Sequence, residues 1–191
     1  VQAQEAETQR ISEQITQQIK AEQENASATT EQIAEQVAAL YGPFTPAAQG
    51  EEGLITLENE KVRIGIAQRG GRIAKAELKE YKAYGDSINN LCLFQSDEST
   101  LNFTLVTNNS RVLSTDNLYF TVVNQVTDTE GNTTLVLRLN TNIDDCYMDI
   151  AYTLPADDYM VSMSIQPHNM QWALAQNMSS LEMHWNQQIR Q

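Results

Sequence analysis

The sequence predicts an all-β fold, an antiparallel β-sandwich, preceded by a short helical or flexible N-terminal segment. Three observations predict it. From Leu54 onward, apolar residues alternate with polar ones in successive short runs, the pattern of strands with one buried face. Clusters of Asn, Asp, Gly and Pro separate the runs, as turns require. No helix-length periodic stretch lies between the runs, which argues against a βαβ architecture.

The first element is residues 1–53, an acidic, Gln-rich linker or helical arm. It holds nine acidic and two basic side chains, and its first 40 residues contain nine Gln and no Gly or Pro. Ile11, Ile15 and Ile19 recur every four residues, a thin apolar stripe on a polar helix. Ala26–Thr30 interrupts it. Thr29 and Gln32 have capping-box spacing, so a second helix is expected to start there. Ile33, Val37 and Leu40 form its apolar face, and Gly42-Pro43 and Pro46 end it. Such thin apolar faces cannot offset the backbone entropy of a lone helix. The segment is therefore a tether, a helix docked on something else, or a short coiled-coil arm. As a tether, its removal would leave the melting temperature nearly unchanged; a docked Ile33-Val37-Leu40 face would make removal costly.

Residues 54–191 make up the sandwich. The alternating runs are Val62-Ile64-Ile66, Leu101-Phe103-Leu105, Leu118-Phe120-Val122, Leu135-Leu137-Leu139, Cys146 through Leu154, and Tyr159-Val161-Met163-Ile165. Val161, Met163, Ile165, Leu135, Leu137 and Phe120 are expected in the core. Turns are expected at Asn59–Lys61, Tyr84–Asp86, Thr107–Ser110, Glu130–Asn132, Thr141-Asn142 and Pro155–Asp158. In Arg69-Gly70-Gly71-Arg72, paired glycines permit positive φ or a bulge that redirects the chain. Leu181, Met183 and Trp185 suggest one more strand. The chain then stops at Gln188–Gln191 without a turn signal, so the sandwich reads as cut at its C-terminus.

Charge and composition exclude several functions. With 25 acidic and 12 basic side chains the formal charge is −13, against nucleic-acid binding by phosphate neutralisation and against a polybasic membrane-surface module. No apolar run approaches the ~20 residues that cross a bilayer. Without an initiator Met or signal-type segment, the chain reads as a soluble excised piece. Cys92 and Cys146 lack the spacing of a zinc site or redox pair. An oxidising compartment would allow one bridge, and two small buried hydrophobes are the alternative; Cys146 is in phase with the buried positions.

A search for chemistry yields no catalytic, cofactor-binding or metal residue, so the chain reads as non-enzymatic. His168 and His184 are sixteen positions apart, far from any metal-ligand spacing. There is no GxSxG elbow. Gly65 and Gly70 have phosphate-loop spacing, but Gly71-Arg72 follows where Lys-Ser/Thr is needed. Asp144-Asp145 and Asp157-Asp158 read as turn residues rather than converging glycosidase carboxylates. Trp172 and Trp185 are expected at the edge of the core. One segment departs from the acidic background: residues 54–82 carry seven of the twelve basic side chains against four acidic ones. It is either a docking face for an acidic partner, through Arg69, Arg72 and Lys75, or a solvated strand face balancing an acidic neighbour.

Leu57–Lys61, a strand, Arg69-Gly70-Gly71-Arg72-Ile73 and Leu78–Lys82 together resemble the start of the large periplasmic domain of YidC-type membrane protein insertases. Asp116–Phe120, Tyr152-Thr153-Leu154 with Asp158–Val161, and Trp185–Arg190 follow in the same order. The resemblance covers essentially all of 54–191, and residues 1–53 would match the linker after the family's first membrane helix. It implies a β-supersandwich related to the galactose-mutarotase fold, on the periplasmic side of the bacterial inner membrane. It implies a non-catalytic module of an insertase that assists insertion and folding of inner-membrane proteins, alone or with the Sec translocon. Partners would be Sec translocon components and nascent membrane proteins, with anchoring through helices absent from this chain. No cofactor is implied. A carbohydrate- or peptide-binding envelope domain on the same sandwich is the alternative.

Overall fold

A computed structural model describes residues 17, 30–83, 85 and 88–188. The Ile11-Ile15-Ile19 stripe, Thr29 of the capping box, Tyr84 and Asp86 of one turn, and Ile189–Gln191 lie outside the described residues. A helix α1 (Thr30–Tyr41) is followed by a 3-10 turn (Gly42–Ala47) and then by eleven strands. Helix α1 is described from Thr30, the residue after the predicted cap, and Ile33, Val37, Leu40 and Tyr41 are half-buried in it.

The strands form three antiparallel sheets. The first holds β1 (Leu54–Glu58), β2 (Val62–Ala67), β3 (Arg72–Lys82) and β4 (Asn90–Phe94) in sequence order. The second, in the order β10-β9-β8-β7, holds β7 (Thr121–Thr127), β8 (Thr133–Asn140), β9 (Tyr147–Leu154) and β10 (Ser162–His168). The third places β5 (Ser99–Val106) between β11 (Glu182–Gln187) and β6 (Val112–Ser114). Every pairing of neighbours is antiparallel, as expected for two-period runs joined by short turns. One core runs through the sheets. Leu57, Ile64 and Ile66 meet Phe103, Leu105, Leu135, Leu137, Leu139, Met148, Ile150, Tyr152 and Leu154, all buried. Cys146 is buried, Cys92 is half-buried, and both are free thiols.

Turn chemistry positions the sheets. Asn59 Oδ1 accepts from the backbone N–H groups of Lys61 and Val62, while its Nδ2 donates to the carbonyls of Pro155 and Asp158. One side chain thus ties the β1–β2 turn to the β9–β10 turn. Gly70 and Gly71 hold φ of 81° and 62°, the left-handed region the paired glycines predict.

Burial corrects several expectations. Leu135, Leu137 and Phe120 are in the core, but Met163 is 37% exposed and Val161 and Ile165 are only half-buried. The reason is position: among the described residues β10 is an edge strand paired only with β9. Leu118 and Phe120 are buried yet precede β7. Gly70 N–H donates to the Leu118 carbonyl and Phe120 N–H to the Gln68 carbonyl, so this segment lies along the β2–β3 turn. Val122 is exposed because β7 is the opposite edge strand.

The composition break at Gly53 is not the edge of the core. Phe44 is 0% and Ala47 1% exposed within the same cluster. Asn142 N–H donates to the Pro43 carbonyl and Tyr119 N–H to that of Ala47, each at 2.8 Å. The residues that break the helix therefore begin the packed unit.

Candidate docking surface

The basic segment is carried by β2, β3 and the turns around them, and the fold pairs most of its charges internally. The β1–β2 hairpin sets Arg63 against Glu58, and β3 brings Glu77 opposite Arg63. Arg63 binds Glu58 at 2.6 Å and Glu77 at 3.2 Å. Lys79 reaches Glu58, and Lys61 pairs with Asp157 at 2.8 Å. Glu58 and Glu77 carry no signal of their own in the sequence, because the turn pattern Asn59–Lys61 read symmetrically opposes Glu58 to Val62 and the actual register is one residue further.

Arg69, Arg72 and Lys75 occupy different settings. Arg69 lies in the β2–β3 turn, donates to the Asp116 carbonyl and to Glu52, and lies over the Tyr119 ring. Arg72 starts β3, where its Nη2 donates to the Ser96 carbonyl and its buried Nη1 has no partner. Lys75 pairs with Glu77 at 3.4 Å. Arg69 and Lys75 keep partly exposed side chains, 49% and 38%, and exposed pairs of this kind contribute only about 0–1 kcal/mol each.

These pairs set an acid dependence. Hydrogen bonding from Arg63, then Lys79, holds the Glu58 carboxyl below its ordinary 4.5. Asn90, then Lys75 and Arg63, do the same for Glu77. A carboxylate lowered by folding contributes its stability in full above the unfolded value and loses it as pH falls through the folded one. Urea unfolding should therefore show stability falling as pH drops below about 4.5. Glu77→Gln should flatten that fall, and an unchanged profile would remove Glu77 from the account.

Elsewhere the polar clusters are structural. His168 ends β10, stacks on Tyr147 at 4.7 Å between ring centroids and bonds Asp145 at 3.0 Å. Arg138 covers the same Tyr147 ring and is bidentate to Asp149, both bonds 2.8 Å. Asp158 accepts from the N–H groups of Tyr159 and Met160, closing its turn. His184 is on the polar side of β11, near Glu182. Among the described residues no three His, Cys, Asp or Glu side chains converge as a metal-binding group. Trp172 and Trp185 are 47% and 68% exposed, not at the core edge as expected. Trp172 is in a short 3-10 turn and Trp185 on an edge strand, where one side has no neighbour.

Comparison with known proteins fixes the lineage. The family model of the YidC periplasmic domain matches residues 54–191. The chain belongs to the YidC family of membrane protein insertases. The YidC insertase of Parabacteroides distasonis is 39% identical over 180 residues, covering 88% of this chain and 27% of its own. That coverage exceeds what residues 54–191 hold, so the likeness to YidC extends N-terminal to Leu54. The YidC insertases of Azobacteroides pseudotrichonymphae and Phocaeicola vulgatus are 37% and 36% identical, over 80% and 78% of this chain and 24% and 22% of theirs. The chain thus spans about a quarter of the length of these YidC relatives. No solved structure matches it significantly. No helix among the described residues is long and apolar enough to cross a membrane.

Proposed function

We propose that this chain is a non-catalytic periplasmic module of a membrane protein insertase, on the far side of the bacterial inner membrane. It assists insertion and folding of inner-membrane proteins, alone or with the Sec translocon, while membrane helices elsewhere in the full-length protein carry out insertion. The observation that carries this reading is the family match across the whole sandwich. The sandwich is residues 54–191 and the arm residues 1–53, whose turn Gly42–Ala47 packs Phe44 and Ala47 into the same core.

Docking runs through Arg69, Arg72 and Lys75, of which Arg69 and Lys75 keep partly exposed side chains and Arg72 reaches the Ser96 carbonyl. Support comes from the setting: these cations lie within the one segment of net positive charge in a chain of −13. Attraction to an acidic partner raises the association rate and weakens with salt. The test is binding of the full-length protein to purified Sec translocon components at low and high ionic strength. Arg69→Glu with Lys75→Glu should slow association several-fold at low salt and leave the melting temperature nearly unchanged, since exposed charge changes usually stay within about 0.5 kcal/mol. Unchanged binding with no salt dependence in the parent would make the segment a solvated strand face.

A further inference from the structure

Two stretches of opposite charge meet at one residue. The arm, residues 1–53, holds nine acidic and two basic side chains, whereas residues 54–82 hold seven basic and four acidic ones. At the end of the arm, residues 48–53 cross the β2–β3 turn as a strap. Backbone bonds fix it at both ends: Tyr119 N–H donates to the Ala47 carbonyl at 2.8 Å and Gln68 N–H to the Gly53 carbonyl at 2.9 Å. Between them, a Cβ on Gly50 would lie 2.5 Å from the Tyr119 Cβ, so glycine lets the strap lie this close. Glu52 is thereby held against Arg69. Its Oε1 accepts from Arg69 Nη1 at 3.1 Å and from the Tyr119 hydroxyl at 3.3 Å. The end of helix α1 reaches the same place: burial pushes the Tyr41 phenol up, and the charge of Arg69 draws it back.

Arg69 is held in one orientation. Its Nε donates to the Asp116 carbonyl at 3.0 Å, and its guanidinium lies over the Tyr119 ring. A guanidinium fixed in this way loses little freedom when it pairs with a carboxylate, and here the carboxylate comes from the arm. Both side chains stay open to solvent, 67% exposed for Glu52 and 49% for Arg69, so the pair is weak and exchangeable. A tethered carboxylate still competes at an effective concentration on the order of millimolar. We propose that Glu52 is an intramolecular stand-in for the acidic partner, masking Arg69 until that partner displaces it. The proposal rests on the docking reading above. Docking then frees the last carboxylate of the arm from the sandwich, which couples partner binding to the position of the arm.

Fluorescence anisotropy of a labelled short glutamate peptide, titrated with the full-length protein, tests this. Glu52→Gln should tighten binding about two- to five-fold, the range set by an exposed ion pair. Glu51→Gln removes the same charge one position away and should change binding much less. Adding Arg69→Gln to Glu52→Gln should abolish the gain, because the unmasked group is then gone. Equal affinity of the parent and Glu52→Gln, with binding in both salt-dependent and weakened by Lys75→Glu, would overturn the masking and leave the docking reading standing. An equal gain from Glu51→Gln would also overturn it, making overall charge the cause. Absence of salt-dependent binding in the parent and in Glu52→Gln alike would overturn the docking reading and this proposal with it.

Discussion

Phe44→Ala should destabilise the domain by about 3–5 kcal/mol, the usual cost of deleting a buried phenylalanine ring. The ring is 0% exposed, in a 3-10 turn whose neighbours Pro43 and Ala47 bond backbone groups of Asn142 and Tyr119. The turn cannot collapse into the void without losing those bonds. For a chain of this size each kcal/mol shifts the melting temperature by about 2–4 °C, so calorimetry should register a drop on the order of 10 °C. Truncation separates the two boundaries. Removing residues 1–41 should cost much less than removing 1–53, because only the second takes Phe44 and Ala47 out of the core. An unchanged melting temperature without residues 1–53 would return the start of the folded module to Leu54 and make everything before it a tether.

Gly71→Ala should be nearly as costly. Gly71 has φ of 62°, and a Cβ there would lie 3.1 Å from three atoms of the Phe120 ring. Holding a residue other than glycine in this region costs about 1–3 kcal/mol. Overpacking against a ring that is 1% exposed adds about 1–3 kcal/mol. The ring has little room to yield, because Phe120 N–H is bonded to the Gln68 carbonyl and the Gly71 carbonyl accepts from the Tyr152 hydroxyl at 2.7 Å. Gly85→Ala supplies the control. Its φ is 75° but a Cβ there meets nothing within 4 Å, so it carries the conformational cost alone. Equal losses in the two variants, measured by urea unfolding, would show that crowding of Phe120 contributes nothing.

The two experiments probe the places where local pattern and tertiary packing part company. Gly70-Gly71 was legible in the sequence, because adjacent glycines between two strand patterns announce a left-handed turn. Phe44 was not. It stands alone between prolines in a polar stretch, and an isolated aromatic carries no periodicity from which burial could be read. The same limit applies to charge. Seven cations in one segment looked like a face, but which carboxylates meet them depends on strand register and on turns nearly a hundred residues apart, such as Lys61 with Asp157.

The sequence alone determined the fold class, the two-period strands, most turn positions and the family. Each is written in residues adjacent in the chain, where alternation, turn chemistry and ordered motifs act locally. Only the tertiary structure decided which alternating faces are buried. Alternation states that one face of a strand is apolar, but burial requires a second layer above it. Leu135 and Leu137 on the inner strand β8 have one and are 0% exposed, as does Leu57 on the edge strand β1, whereas Met163 and Trp185, equally periodic, lie on edge strands and are open. Which strands a second layer covers, a matter of contacts between residues far apart in sequence, makes that difference.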